Sequence, residues 1–291
     1  MDDAAYDRCL DLARDHYENF PVRSSLLPRE LARDLAAVYA FCRTTDDLGD
    51  EFPGDRRAAL RRWEGDVRAT LKGAPPADRP ILGALAETAG RRNLEPTPFL
   101  LLIEANRRDQ RLEPYADEAA LLDYCRHSAT PVGRMVLGTL GFDESGLHVY
   151  ADATCIGLQL ANFWQDLARD RENGRCYLPL DACSRHGVDP GVELERASAS
   201  PALRGLVAEL VERAREWLIR GWPLADRLPA RTRPLVRGFS RGGWAICDAV
   251  AAAGYDTLSS RPTVGVTRRR TIAGLELLRA PRRGVSAPTR G

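Results

Sequence analysis

Two stretches of this chain carry carboxylates four residues apart on otherwise apolar sequence. Asp46 and Asp50 lie in F-C-R-T-T-D-D-L-G-D-E, and Asp166 and Asp170 in Q-L-A-N-F-W-Q-D-L-A-R-D. On a helix the i, i+4 spacing projects both carboxylates from one face, where they repel each other unless something positive lies between them. At about 100° per residue, Arg43, Asp46, Asp47 and Asp50 share an arc of about 100°, and Tyr39 joins them. Gln159, Asn162, Asp166 and Asp170 form a narrower stripe along the second segment, bounded by Leu158, Leu160, Ala161, Phe163, Trp164 and Leu167. A polar stripe on so apolar a segment calls for partners, ions or a ligand to satisfy it. A single D-x-x-x-D is usually a solvated face. Two such pairs, each with Arg or amide side chains on the same stripe, predict two helices facing each other across Mg²⁺, a hard cation that combines a few carboxylates with waters and phosphate oxygens.

Helical periodicity dominates the rest. Helices are expected over residues 3–18, 28–50, 55–71, 78–91, 97–112, 117–139, 144–171, 201–227 and 230–258. Pro28 suits a first turn, and Gly73-Ala74-Pro75-Pro76, Glu95-Pro96-Thr97-Pro98 and Gly141 separate elements. Residues 172–200 read as a long loop, a rim or lid beside the second carboxylate pair. The expected architecture is all-α: one helical domain over residues 1–262 around a central cavity, then a basic, flexible tail over 263–291 with Arg268-Arg269-Arg270 and Arg282-Arg283.

Composition narrows the function classes. A net charge of +1 over 291 residues gives no field for nucleic acid. The seven cysteines are scattered and form no C-x-x-C. Cys176, Cys183 and His186 lack a fourth ligand at zinc spacing, so reduced thiols and a cytoplasmic location are expected. The N-terminus has no apolar signal-peptide segment, and no uncharged run is long enough for a membrane span. His148 and His186 read as surface residues. There is no G-x-G-x-x-G in a βαβ context, so a Rossmann cofactor domain is not expected.

With these residues in view, the chain resembles the squalene and phytoene synthases, the head-to-head prenyl synthases. The resemblance rests on C-R-T-T-D-D-L-G-D and L-Q-L-A-N-F-W-Q-D-L-A-R-D-R-E-N-G-R-C-Y-L-P and extends over residues 5–262. It implies an isoprenoid-synthase helical bundle. Asp46, Asp50, Asp166 and Asp170 would be metal-site carboxylates and Arg43 a diphosphate ligand. Gln159 and Asn162 would line the site, with Tyr177 at its rim among the catalytic residues. H-Y-E-N-F-P-V (16–22), Y-C-R-H-S-A-T-P-V-G-R (124–134) and N-F-W-Q-D (162–166) are similar to the hydroxysqualene synthase subgroup, the HpnC type of bacterial hopanoid pathways.

That likeness implies presqualene diphosphate as substrate and hydroxysqualene as product, formed with Mg²⁺ and without NADPH. His16, Asn19, Tyr124, Arg126, Tyr255 and Arg261 are candidate substrate contacts. Tyr124, Arg126, His127 and Ser128 are candidates to position the quenching water, and Phe20, Val38, Phe41, Val132, Leu137, Leu158 and Phe163 to wall the pocket. A very apolar substrate also suggests peripheral contact with the inner face of the membrane. Two positions depart from the subgroup: Gly49, where Ala is usual, expected to loosen its helix, and Thr130, where Asn is usual. The alternatives are squalene or phytoene synthesis from two prenyl diphosphates, a class I cyclase or head-to-tail synthase, whose signatures differ, and a non-catalytic assembly protein of the same fold.

Overall fold

A computed structural model describes residues 3–15 and 27–264. Every regular element among them is helical: α1 (Asp3–Asp15), α2 (Arg29–Asp50), α3 (Arg56–Thr70), α4 (Pro80–Arg92), α5 (Pro96–Asp109), α6 (Glu118–Ser128), α7 (Thr130–Thr139), α8 (Ser145–Gln165), α9 (Leu167–Glu172), α10 (Leu180–His186), α11 (Pro190–Glu193), α12 (Pro201–Gly221), a 3-10 turn (Trp222–Arg227) and α13 (Arg233–Ala252). The chain divides into two compact units, one of residues 1–111 and 127–148, the other of residues 112–126 and 149–291. The tail from 265 on, and with it the Arg clusters, lies outside the described residues, as do His16, Asn19 and Phe20.

The starts of the helices follow local chemistry. Asp55 accepts a hydrogen bond from the Ala58 amide to cap α3, and Ser200 accepts one from Leu203 to cap α12, with Pro201 opening the helix. In the first unit α2 touches α1, α3, α4, α5 and α7. Its apolar face enters a core of Val38, Phe41, Trp63, Val67, Leu82, Leu85, Phe99, Leu102, Ile103 and Met135. Trp63 Nε1 donates to Thr45 Oγ1 at 2.8 Å, and that hydroxyl donates to the Phe41 carbonyl at 2.8 Å. This fixes the rotation of α2 and so which way its polar stripe points. Val38 and Phe41, candidate pocket walls by sequence, are members of this core.

Elsewhere in the first unit, Asp34 is wholly buried and accepts hydrogen bonds from Thr88, Arg91 and Arg92, tying α2 to α4. In the second unit α12 and α13 pack together, and α8 approaches both at glycines. A methyl on Gly157 would meet the Leu218 backbone, and one on Gly221 the Thr154 backbone.

Several expected boundaries move, and the helix predicted over 230–258 is shorter, running from Arg233 to Ala252. The helix predicted over 117–139 is two, parted at Ala129. Pro131 lacks the N–H to bond the His127 carbonyl, and its ring crowds that carbonyl. The helix predicted over 144–171 is parted at Asp166, whose backbone takes φ −109° and ψ 18°. The expected loop 172–200 contains α10 and α11, with Gly187 at φ 64° closing the former.

Candidate active site

The α2 stripe is present as a row of half-buried side chains, Tyr39, Arg43, Asp46, Asp47 and Asp50, on a helix otherwise sunk in the core. Asp46 is the least comfortable of them. Burial pushes its carboxyl up to about 7, a hydrogen bond from Asn106 opposes this, and the neighbouring Asp50 charge adds to it. The Asn106 bond runs from Nδ2 to Asp46 Oδ1 at 3.3 Å. Cys42 lies in the same dense surroundings, and burial together with the Asp46 charge raises its thiol well above the usual range. Arg43 pairs with Asp47 at 2.5 Å and Glu51 at 3.0 Å. Its Nε is buried and meets no acceptor in the protein.

The second carboxylate pair straddles the break between α8 and α9. Gln159, Asn162, Asp166 and Asp170 are all half-buried, on a helix whose Phe163, Trp164 and Leu167 are buried. The break does not undo the pairing, because the Asp170 amide still donates to the Asp166 carbonyl at 2.8 Å, which keeps the two residues one turn apart. Arg261 holds the Asp166 carboxylate through Nε to Oδ1 and Nη2 to Oδ2, the latter at 3.2 Å, and reaches Gln165 Oε1 at 3.2 Å. Gln165 Nε2 donates to the Pro262 carbonyl at 2.6 Å. The strand of chain after α13 is therefore stitched along the α8–α9 break.

That strand is itself held by Asp256. Its carboxylate accepts from the amides of Ala199, Leu258 and Ser259 and from Arg204. Burial alone would raise the Asp256 carboxyl, but the Ala199 and Ser259 bonds and the Arg204 charge outweigh it and hold it below the usual range. Tyr255, half-buried, turns the chain out of α13 with φ 59°.

Beside the second pair the structure brings together an aromatic group. Tyr177 stacks on Phe163 at 3.9 Å between ring centroids, and Tyr124 lies 5.7 Å from Tyr177 and 6.2 Å from Phe163. Tyr115 completes it, 5.6 Å from Tyr124 and 5.9 Å from Tyr177. Tyr115 was not singled out in the sequence because it stands in a short link rich in polar residues. Arg126 is exposed and Ser128 Oγ is buried without a protein partner. His127 is paired with Arg108, its Nε2 3.1 Å from Nη2. His148 pairs with Asp143 and His186 with Glu209.

The donor set suits a hard divalent cation. Asp46 is a half-buried carboxylate that accepts a hydrogen bond from a neutral amide, and Asp50 stands one turn away. Among the described residues, no three or more His, Cys, Asp or Glu side chains are grouped so that they could hold a metal ion. No helix among them is long and apolar enough to cross a membrane.

The squalene/phytoene synthase sequence profile matches residues 13–270. The chain is 37% identical over 190 residues to the hydroxysqualene synthase of Zymomonas mobilis, an alignment covering 64% of this chain and 63% of that protein. It is 31% identical over 258 residues to the phytoene synthase of Mycobacterium bovis, covering 87% of this chain and 84% of that one. The solved structure of squalene synthase HpnC from Alicyclobacillus acidocaldarius superposes with a TM-score of 0.80 at 41% identity, over 87% of this chain and 95% of the other. The two carboxylate stripes thus stand on a helical fold shared with these enzymes, and the chain belongs to the squalene/phytoene synthase family.

Proposed function

We propose that the chain converts presqualene diphosphate and water to hydroxysqualene and diphosphate, with Mg²⁺ and without NADPH. The observation that carries the reading is the pair of half-buried carboxylate stripes, on α2 and on α8–α9, each on a helix whose other faces are core. The identities of 37% and 41% to a hydroxysqualene synthase and to HpnC support this member of the family.

In this reading Asp46 and Asp50 on α2 would be Mg²⁺ ligands, and so would Asp166 and Asp170 at the α8–α9 break, with diphosphate oxygens among the other ligands. Bound there, the metal supplies charge neutralisation for a leaving group that is poor without it. Arg43 adds a fixed positive charge, and its unpartnered Nε is a donor suited to a phosphoryl oxygen. Arg261, Gln159, Asn162, Tyr255, His16 and Asn19 are the further substrate contacts proposed, and Arg126 a weaker one given its exposure.

Loss of the diphosphate breaks a C–O bond and leaves a cyclopropylcarbinyl cation, which rearranges. In this reading the buried, stacked Tyr177 and Phe163 rings, with Tyr124, would line the region where the cation forms, limit water there and offer it their π-faces. Water then adds through its oxygen and gives up a proton, so no reductant is consumed. The protein would act in the cytoplasm, docking transiently on the inner face of the membrane to exchange an apolar substrate and product.

A second reading, head-to-head condensation of two prenyl diphosphates, draws on the broader matches. The phytoene synthase of M. bovis is covered over 84% of its length, and the presqualene diphosphate synthase of Z. mobilis over 78% at 29% identity. One experiment separates the readings: purified protein is given Mg²⁺ and either farnesyl diphosphate or presqualene diphosphate, with and without NADPH, and the products are analysed. Hydroxysqualene from presqualene diphosphate, unchanged by NADPH, is the expected result. Consumption of farnesyl diphosphate alone, yielding presqualene diphosphate, squalene or phytoene, would overturn it.

A further inference from the structure

We infer that Asn106 is the positioning residue for Asp46, and that Gly49 is the position on α2 that admits it. The inference rests on the proposed role of Asp46 as a metal ligand. Asn106 lies on α5, 7% exposed, with both of its amide hydrogens directed. One bonds the Leu102 carbonyl in its own helix at 3.2 Å, and the other bonds Asp46 Oδ1 at 3.3 Å. With the NH₂ group so used, the amide oxygen must point elsewhere, and it points at Gly49. A Cβ built on Gly49 would overlap Asn106 Oδ1 and lie 3.2 Å from its Cγ. No side chain other than hydrogen fits at position 49 while Asn106 keeps this rotamer.

One turn further along α5, Gln110 Nε2 donates to the Gly49 carbonyl at 3.0 Å and to the Asn106 carbonyl at 3.1 Å, clamping the two backbones at the point of close approach. Gly49, Asn106 and Gln110 therefore act as a unit, and what the unit delivers to the α2 stripe is a single neutral donor on one oxygen of Asp46. Neutrality matters. Lys or Arg at this place would compete with a divalent cation for the carboxylate charge. An amide fixes the orientation of the carboxylate and leaves both its charge and its second oxygen for the metal.

The test is calorimetric titration of Mg²⁺ into the full chain in the presence of inorganic pyrophosphate, for the wild type, Asn106→Leu, Gly49→Ala and the double variant, with thermal melts alongside. Asn106→Leu keeps the volume and removes the donor. It is expected to weaken Mg²⁺ binding at least about tenfold with the melt preserved, the size usual for loss of an outer-shell partner of a metal ligand. Gly49→Ala should weaken it in the same direction by displacing the Asn106 amide. The double variant should be no weaker than the worse single one, because both changes break the same bond. A wild type that binds Mg²⁺ while Asn106→Leu binds it equally well overturns the inference and leaves the metal reading intact. A wild type that binds no Mg²⁺ overturns both. Should Asn106→Leu fail to fold, Gly49→Ala decides alone: binding as tight as wild type overturns the inference.

Discussion

Asp46 and Asp166 each open an i, i+4 carboxylate pair, yet they are held in opposite ways. Asp46 meets one neutral amide, in surroundings that push its carboxyl up to about 7. Asp166 is gripped on both oxygens by the Arg261 guanidinium. The first carboxylate is short of positive charge and the second already has it from within the chain. A cation reaching Asp46 would relieve a poorly compensated charge, whereas one reaching Asp166 would have to displace or share with a salt bridge.

Substituting each in turn is the most forceful way to break this comparison. Asp46→Asn and Asp166→Asn should both depress turnover by about 10²–10³-fold, as expected when a group stabilising a developing charge is removed. Their effects on stability should differ in sign. Asp46→Asn removes a poorly compensated, half-buried carboxylate and should leave the metal-free protein as stable as wild type or more so. Asp166→Asn breaks the Arg261 pair and should cost up to about 1 kcal/mol, the range for a partly exposed ion pair. Product assays and denaturant melts of the metal-free variants check both. Equal loss of stability in the two would show that their surroundings do not differ as described.

Arg261 is the next point of difference. Arg261→Gln should lower kcat/KM by roughly 10–100-fold, the range for losing a group that orients a metal ligand. It should also tighten Mg²⁺ binding measured without diphosphate, because Asp166 loses its competing cation. On the α2 side the corresponding experiment, placing Arg at 106, should weaken Mg²⁺ binding. If Arg261→Gln weakened metal binding as well, the two carboxylates would depend on their neighbours in the same way.

These asymmetries were legible in the sequence only in part. The stripes follow from spacing, because a 3.6-residue period and an apolar background leave few alternatives for Asp46, Asp50, Asp166 and Asp170. Their supports come from far along the chain. Asn106 is 60 residues from Asp46 and Arg261 is 95 from Asp166, and no local pattern couples either pair. Gly49 read as a weak point in a helix, since Gly costs helix stability and nothing in the sequence shows the amide packed against it. The break at Ala129 had a visible cause in Pro131, which the apolar periodicity on both sides overrode. The break at Asp166 has neither Pro nor Gly beside it, and it coincides with contacts from Arg261 and Pro262 that only the fold supplies. Short helices such as α10 fall below the length at which periodicity is readable, though Pro179 and Gly187 mark its ends.

The smallest expected effect tests the underpinning of the second stripe alone. Asp256 gathers the amides of Ala199, Leu258 and Ser259 with Arg204, and so holds the strand that carries Arg261 to Asp166. Its folded carboxyl lies below the usual value, so the unfolded chain takes up a proton first as pH falls. The stability it contributes is therefore fully present above about pH 4, the ordinary Asp value, and is lost as pH drops through the lower folded value. Asp256→Asn keeps a carbonyl oxygen for the three amides but sets an NH₂ group against the Arg204 guanidinium, and the loss of that charge-assisted bond should cost about 1–3 kcal/mol near neutrality. The gap from wild type should close below about pH 4. Denaturant melts of the two proteins across that range check the sign. A gap that widened on acidification would mean that Asp256 is held by its burial and not by its donors, and the strand bearing Arg261 would need another anchor.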